Sequence, residues 1–212
     1  MSRRAYGPGS DKLRVPQRGS VRRLMHRLVR PWARLVARRD GTAAVELALL
    51  SPMLMILLAG IIDFSRVYFQ EIQLSSAVAA AGQYALLNVA SINSTGAASL
   101  AATLSGIVAN SSGSAWAGAT VTVNDGATSA ITNGTTSPSG TAANANSCWC
   151  PTGSTTTAAW GTAAACGTSC AGGTFAGKFV TISGTRAFTA IFGNYGLISN
   201  TTLHQTTIVQ AQ

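Results

Sequence analysis

From Thr42 to Ile62 the chain runs through 21 residues with a single charge, Glu46. About 20 apolar residues are what a helix needs to cross about 30 Å of hydrocarbon. The only proline between Thr42 and Val89 is Pro52. Ala, Leu, Gln and Glu, which fill that stretch, are good helix formers. One long helix is expected over 42 to about 89, kinked at Pro52. Past Ile62 the pattern turns amphipathic. Phe64, Val67, Tyr68 and Ile72 make one stripe, and Leu74, Val78, Ala81 and Ala85 another, with Asp63, Arg66, Glu71 and Gln73 on the polar side. Small residues over 75–82 permit close packing against a neighbour.

A shorter helix is predicted over Thr95–Ala109, capped by Ser94 or Thr95. Farther on, Ala119–Val123, Phe179–Ile182, Ala187–Ile191 and Thr202–Val209 cluster or alternate β-branched and apolar residues, as strands of a small antiparallel sheet do. Ser183-Gly184-Thr185 reads as a hairpin turn between two of them. The tract from Asn124 to Gly177 is rich in Gly, Ser, Thr, Ala and Asn, and reads as a surface excursion with little to bury.

Charge changes the picture at one end only. Residues 1–40 carry eleven Arg and Lys12 against Asp11 and Asp40, a net +10. Residues 41–212 carry Arg66, Lys178 and Arg186 against Glu46, Asp63, Glu71 and Asp125, a net −1. A basic flank directly before an apolar span stays in the cytoplasm, which puts the C-terminal part outside. Val21, Leu24, Met25, Leu28, Val29, Trp32, Leu35 and Val36 recur at helical spacing among the arginines, a pattern suited to an anionic membrane surface. An organelle presequence or a nucleic-acid arm shares the Arg richness, but neither explains the span that follows. A secretory signal has a shorter apolar core than this one.

Cys148, Cys150, Cys166 and Cys170 lie within 23 residues, in the part assigned to the outside. Disulfides suit an oxidising compartment and a loop too poor in apolar residues to order itself. Four thiolates also suit zinc, but Cys148 and Cys150 sit closer than structural zinc pairs do. Two bridges are expected, cross-paired between the clusters, because a bridge inside Cys-x-Cys closes a strained ring. The sequence does not choose between the cross-paired connectivities.

The one charge in the span is the remaining chemistry. An ionised group in hydrocarbon costs about 2.5–3.5 kcal/mol on insertion scales. A glutamate near the end of a span can snorkel to the headgroups without further role. Here, however, Gly41 precedes Glu46 by five residues, between a basic leader and an apolar helix, as at a prepilin peptidase site. The run Asp40-Gly41-Thr42-Ala43-Ala44-Val45-Glu46-Leu47-Ala48-Leu49-Leu50-Ser51-Pro52 resembles the TadE-like pseudopilins of tight-adherence (Flp-type) pilus systems. The likeness continues through Gly60-Ile61-Ile62-Asp63-Phe64-Ser65-Arg66 and the alanine-rich stretch to about Ala85. It is strong over some 45 residues and holds only in outline elsewhere.

That resemblance implies an α+β, pilin-like fold: a long N-terminal membrane-spanning helix, then a small antiparallel sheet domain with a disulfide-bridged loop. The charge and hydropathy pattern divides the chain into a basic leader (1–41), a span (42–62), a helical extension (63–90) and an extracytoplasmic domain (91–212) with a low-complexity loop over 124–177. Processing residues would be Gly41, Thr42 and Glu46. Expected partners are the bacterial inner membrane, a prepilin peptidase, other pilin-like subunits and the pilus assembly machinery, with no nucleic acid. The implied role is a minor pilin-like subunit in pilus biogenesis. It would sit as a single-pass protein, or pass into a pilus or the periplasm. The rival is an uncleaved, surface-exposed binding protein of adhesin type. No cofactor, metal or catalytic residue is expected: the two histidines, His26 and His204, have no partner pattern around them.

Overall fold

The apolar run and its amphipathic continuation fold as one helix, α1 (Thr42–Leu87), uninterrupted at Pro52. The computed structural model describes residues 41–153, 158–193 and 201–211. The basic leader, with its amphipathic pattern over 21–36, lies outside them. The chain divides into two compact units, Met1–Met55 and Ile56–Gln212. In the first, side chains from Thr42 to Met55 are exposed apart from half-buried Ser51. Only 6% of the most apolar window of α1 is buried. An apolar helix left uncovered by its own protein is suited to lipid, whereas a core helix would be covered.

In the second unit, Leu74, Ala77, Val78, Ala81, Gly82 and Ala85 form the buried stripe of α1. The stripe that includes Phe64, Tyr68 and Ile72 stays exposed at 67, 59 and 49%. A second helix, α2 (Ala97–Ala109), buries Ala97, Leu100, Ala101, Leu104, Ser105, Val108 and Ala109 at the three- and four-residue spacing of one helical face. Its N-terminus is held by Asn93 rather than by Ser94 or Thr95. The Asn93 Oδ1 accepts from the backbone N–H of Thr95 and of Gly96, both at 2.9 Å.

The remaining chain forms a five-stranded antiparallel sheet and a bridged lobe. The sheet strands are β1 (Gly118–Val123), β2 (Ala127–Thr132), β3 (Thr135–Gly140), β8 (Phe179–Phe188) and β9 (Thr201–Gln210), in the order β3-β2-β1-β8-β9. Four two-residue strands, β4 (Cys148–Trp149), β5 (Thr152–Gly153), β6 (Ala158–Ala159) and β7 (Ala163–Ala164), pair as β4-β7 and β5-β6 in the lobe. Val121, Val123, Ile131, Val180 and Ile182 share the sheet face that meets the helices.

Two sequence expectations are corrected here. Ser183-Gly184-Thr185 is no turn: Gly184 lies mid-strand in β8, paired with Ala119 on one side and Gln205 on the other. A Cβ there would come within 2.9 Å of Leu74 Cδ1 and 3.1 Å of both Val108 Cγ1 and Val78 Cγ2. The glycine is what lets both helices lie close on the sheet, and Phe179–Phe188 is one strand where two were expected. The tract after Asn124 is also not all excursion, since β2 and β3 fall within it. Their hairpin turns on Asn133-Gly134, with φ of 50° and 79°, a left-handed pair that Asn and Gly adopt readily.

Candidate functional site

Gly41 directly precedes α1, Thr42 opens it, and Glu46 lies one turn later on the same side, exposed. Gly41, Thr42 and Glu46, predicted as processing residues, therefore fall together at the start of the helix.

A second cluster forms where the apolar run ends. Asp63 is its first charge, yet it is only 3% exposed. Its Oδ1 accepts from the Ile191 N–H at 3.0 Å and its Oδ2 from the Phe192 N–H at 2.8 Å. Arg66, one turn on, approaches the same carboxylate at 3.5 Å. The guanidinium carbon of Arg66 stands 5.5 Å from the centre of the Phe188 ring. Asp63 thereby clasps the segment leaving β8 to α1, and a carboxylate that accepts backbone N–H bonds makes strong, charge-assisted ones. Sequence reading placed Asp63 on the polar face and missed this role. The available signal was its position as the first charge after the span, three residues before an arginine.

Strand β8 runs opposite to α1. Near its start Lys178 donates from Nζ to the Ile92 carbonyl at 2.8 Å, and at its end Phe188 meets Arg66. Ten residues of strand cover about 33 Å. The clasp thus marks one end of the sheet and the bridged lobe the other. In the lobe Cys148 bonds Cys166 and Cys150 bonds Cys170, with Cα–Cα distances of 5.0 and 5.6 Å. The four cysteines pair across the two clusters. Cys148, Cys170 and Ala176 form the small core of the lobe.

Asn124, fully buried with φ 53°, joins lobe to sheet. Its Nδ2 donates to the carbonyls of Ala145 and Ser147, and its Oδ1 accepts from the Phe179 N–H. All three basic residues after the span are engaged: Arg66 with Asp63, Lys178 with Ile92, and Arg186 stacked 5.0 Å from the Trp116 ring centre. His204 is exposed on β9. Among the described residues no group of three or more His, Cys, Asp or Glu is placed to hold a metal.

A long apolar helix, a helix-on-sheet domain and a lobe closed by two disulfides make an α+β protein, and the helix is long and apolar enough to fit a single-pass membrane protein. Residues 41–83 match the family model described as TadE-like protein. The matched segment opens at Gly41, contains Glu46 and the Asp63–Arg66 pair, and stops before α2. No curated protein and no solved structure matches the chain.

Proposed function

We propose that the chain is a pseudopilin-like subunit of a tight-adherence pilus system, acting in pilus assembly and without catalysis of its own. It sits in a bacterial inner membrane with residues 1–40 in the cytoplasm and the sheet domain outside. The observation that carries this reading is the TadE-like match beginning at Gly41, where the basic leader meets the helix. The net +10 before the span against −1 after it supports the orientation.

Cleavage after Gly41 by a prepilin peptidase makes Thr42 the first residue and Glu46 the fifth. That places a new α-amino group and a carboxylate at the start of a helix that must lie in lipid. Each is costly alone. By analogy with pilins, the carboxylate of one subunit pairs with the Thr42 amine of its neighbour, and the attraction offsets the burial of both. Such a pair makes assembly depend on processing.

Intact mass of the protein from membranes of its own host tests the reading. The expected species begins at Thr42 and gains two hydrogens per bridge on reduction. A chain that still carries residues 1–41 would overturn processing and favour the uncleaved binding protein, with its lobe at the end of the sheet opposite the Asp63 clasp.

A further inference from the structure

Among the described residues of the apolar run, Ala59 is the one that is buried. Ala59 lies four residues, about 6 Å, before Asp63, and it is 6% exposed. Around it Leu57, Leu58, Ile61 and Ile62 remain 54, 54, 60 and 45% exposed. One side of α1 is thus covered just before Asp63. The segment that Asp63 holds at this level is Ile191–Phe192, and Ile191 is 60% exposed. Phe64, Tyr68 and Phe69, within about two turns of the same level, are 67, 59 and 61% exposed. Aromatic rings are enriched at the boundary between hydrocarbon and headgroups.

We propose that Ile191–Phe192 is a membrane-interface contact: it rests in the headgroup zone on the domain's side, with Ile191 against lipid. The inference depends on the helix crossing a bilayer with its apolar run, 42–62, in the hydrocarbon, which sets this level at the boundary. Backbone N–H groups entering such a zone lose water and need another acceptor. The Asp63 carboxylate supplies two acceptor oxygens, and Arg66 balances its charge. The same contact steadies the domain over the membrane, because the segment is continuous with β8, whose length runs along α1.

The full chain in phosphatidylethanolamine–phosphatidylglycerol vesicles, with a trace of phospholipid bearing a diazirine at the glycerol end of one acyl chain, provides the test. After irradiation, adducts are mapped by peptide mass spectrometry. Adducts are expected on 56–62, on Phe64, Tyr68 and Phe69, and on Ile191–Phe192. Phe175, 61% exposed but in the bridged lobe, should carry none. Adducts on 56–62 without any on Ile191–Phe192 would overturn the contact and leave the span standing; a protein partner covering this segment gives that result. Loss of adducts on 56–62 as well would overturn the span on which the inference rests.

Discussion

The helix-covered sheet and the bridged lobe over residues 148–177 solve one problem in two ways. Between α1, α2 and the sheet, Leu74, Leu104, Val108, Val121 and Ile182 are completely buried. Each such side chain contributes about 1.5–3 kcal/mol relative to exposure. The lobe buries Cys148, Cys170 and Ala176, with Cys150 and Ala164 packed against them, and no large aliphatic side chain belongs to that cluster. What closes it is covalent, two bridges spanning 18 and 20 residues. Loops of that length are constrained by about 3 kcal/mol per bridge. A Ser-, Thr-, Gly- and Ala-rich lobe is therefore stable where disulfides persist, as they would on the outer side of the orientation proposed above.

If the contrast is real, the two regions should fail differently. The largest effect is expected for Leu104→Ala, which opens a cavity between α2 and the sheet and costs about 2–5 kcal/mol. Amide exchange of the full chain in detergent should show protection lost across β1, β2 and β8. A loss no larger than that of a surface substitution would mean that the apolar core does not carry the sheet. Next comes the double replacement Cys148→Ser with Cys166→Ser, expected to cost about 3 kcal/mol. Here the loss of protection should stay within 148–177, because Asn124 and the β1–β8 ladder hold β8 independently. Loss spreading through β1 and β8 would make lobe and sheet a single cooperative unit and dissolve the distinction.

The same contrast explains what was readable in the sequence. Helices α1 and α2 and strand β1 announce themselves by hydrophobic period and pack by burial, and edge strand β9 shows its period although none of its residues is fully buried. Strand β2 buries only Ala127, Ser129 and Ile131, and edge strand β3 buries nothing, so composition hid both. The Asn133-Gly134 pair is the legible mark of their hairpin, set between flanks rich in Ser and Thr that carry little hydrophobic pattern. Gly184 misled in the opposite sense. A glycine between Ser and Thr has the composition of a turn, and only two helices crowding the same strand reveal that it is a contact point. The cysteine spacing conveyed the cross-pairing of the bridges but could not say which cysteine meets which. Asp63 was visible as a charge, but its partners are backbone groups about 130 residues away, which no local pattern records.

The smallest expected effect sharpens the comparison inside the apolar region itself. Ser105 of α2 and Ser129 of β2 are 0 and 2% exposed, with their hydroxyl oxygens 2.9 Å apart. Ser105 Oγ also donates to the Ala102 carbonyl at 3.0 Å. With its one proton committed there, Ser105 accepts from Ser129. Ser129→Ala then leaves the Ser105 hydroxyl bonded, and should cost about 0.5–1.5 kcal/mol. Ser105→Ala strands the Ser129 hydroxyl among apolar neighbours, and should cost more, about 1–3 kcal/mol. The double alanine variant removes both polar groups and should recover most of the larger loss. Denaturant titration of the full chain in detergent micelles ranks the three. A greater loss for Ser129→Ala would reverse the direction of the hydrogen bond. Additive losses in the double variant would mean that each hydroxyl has its own partner, and that the helix–sheet core holds its polar groups as separately as the lobe holds its bridges.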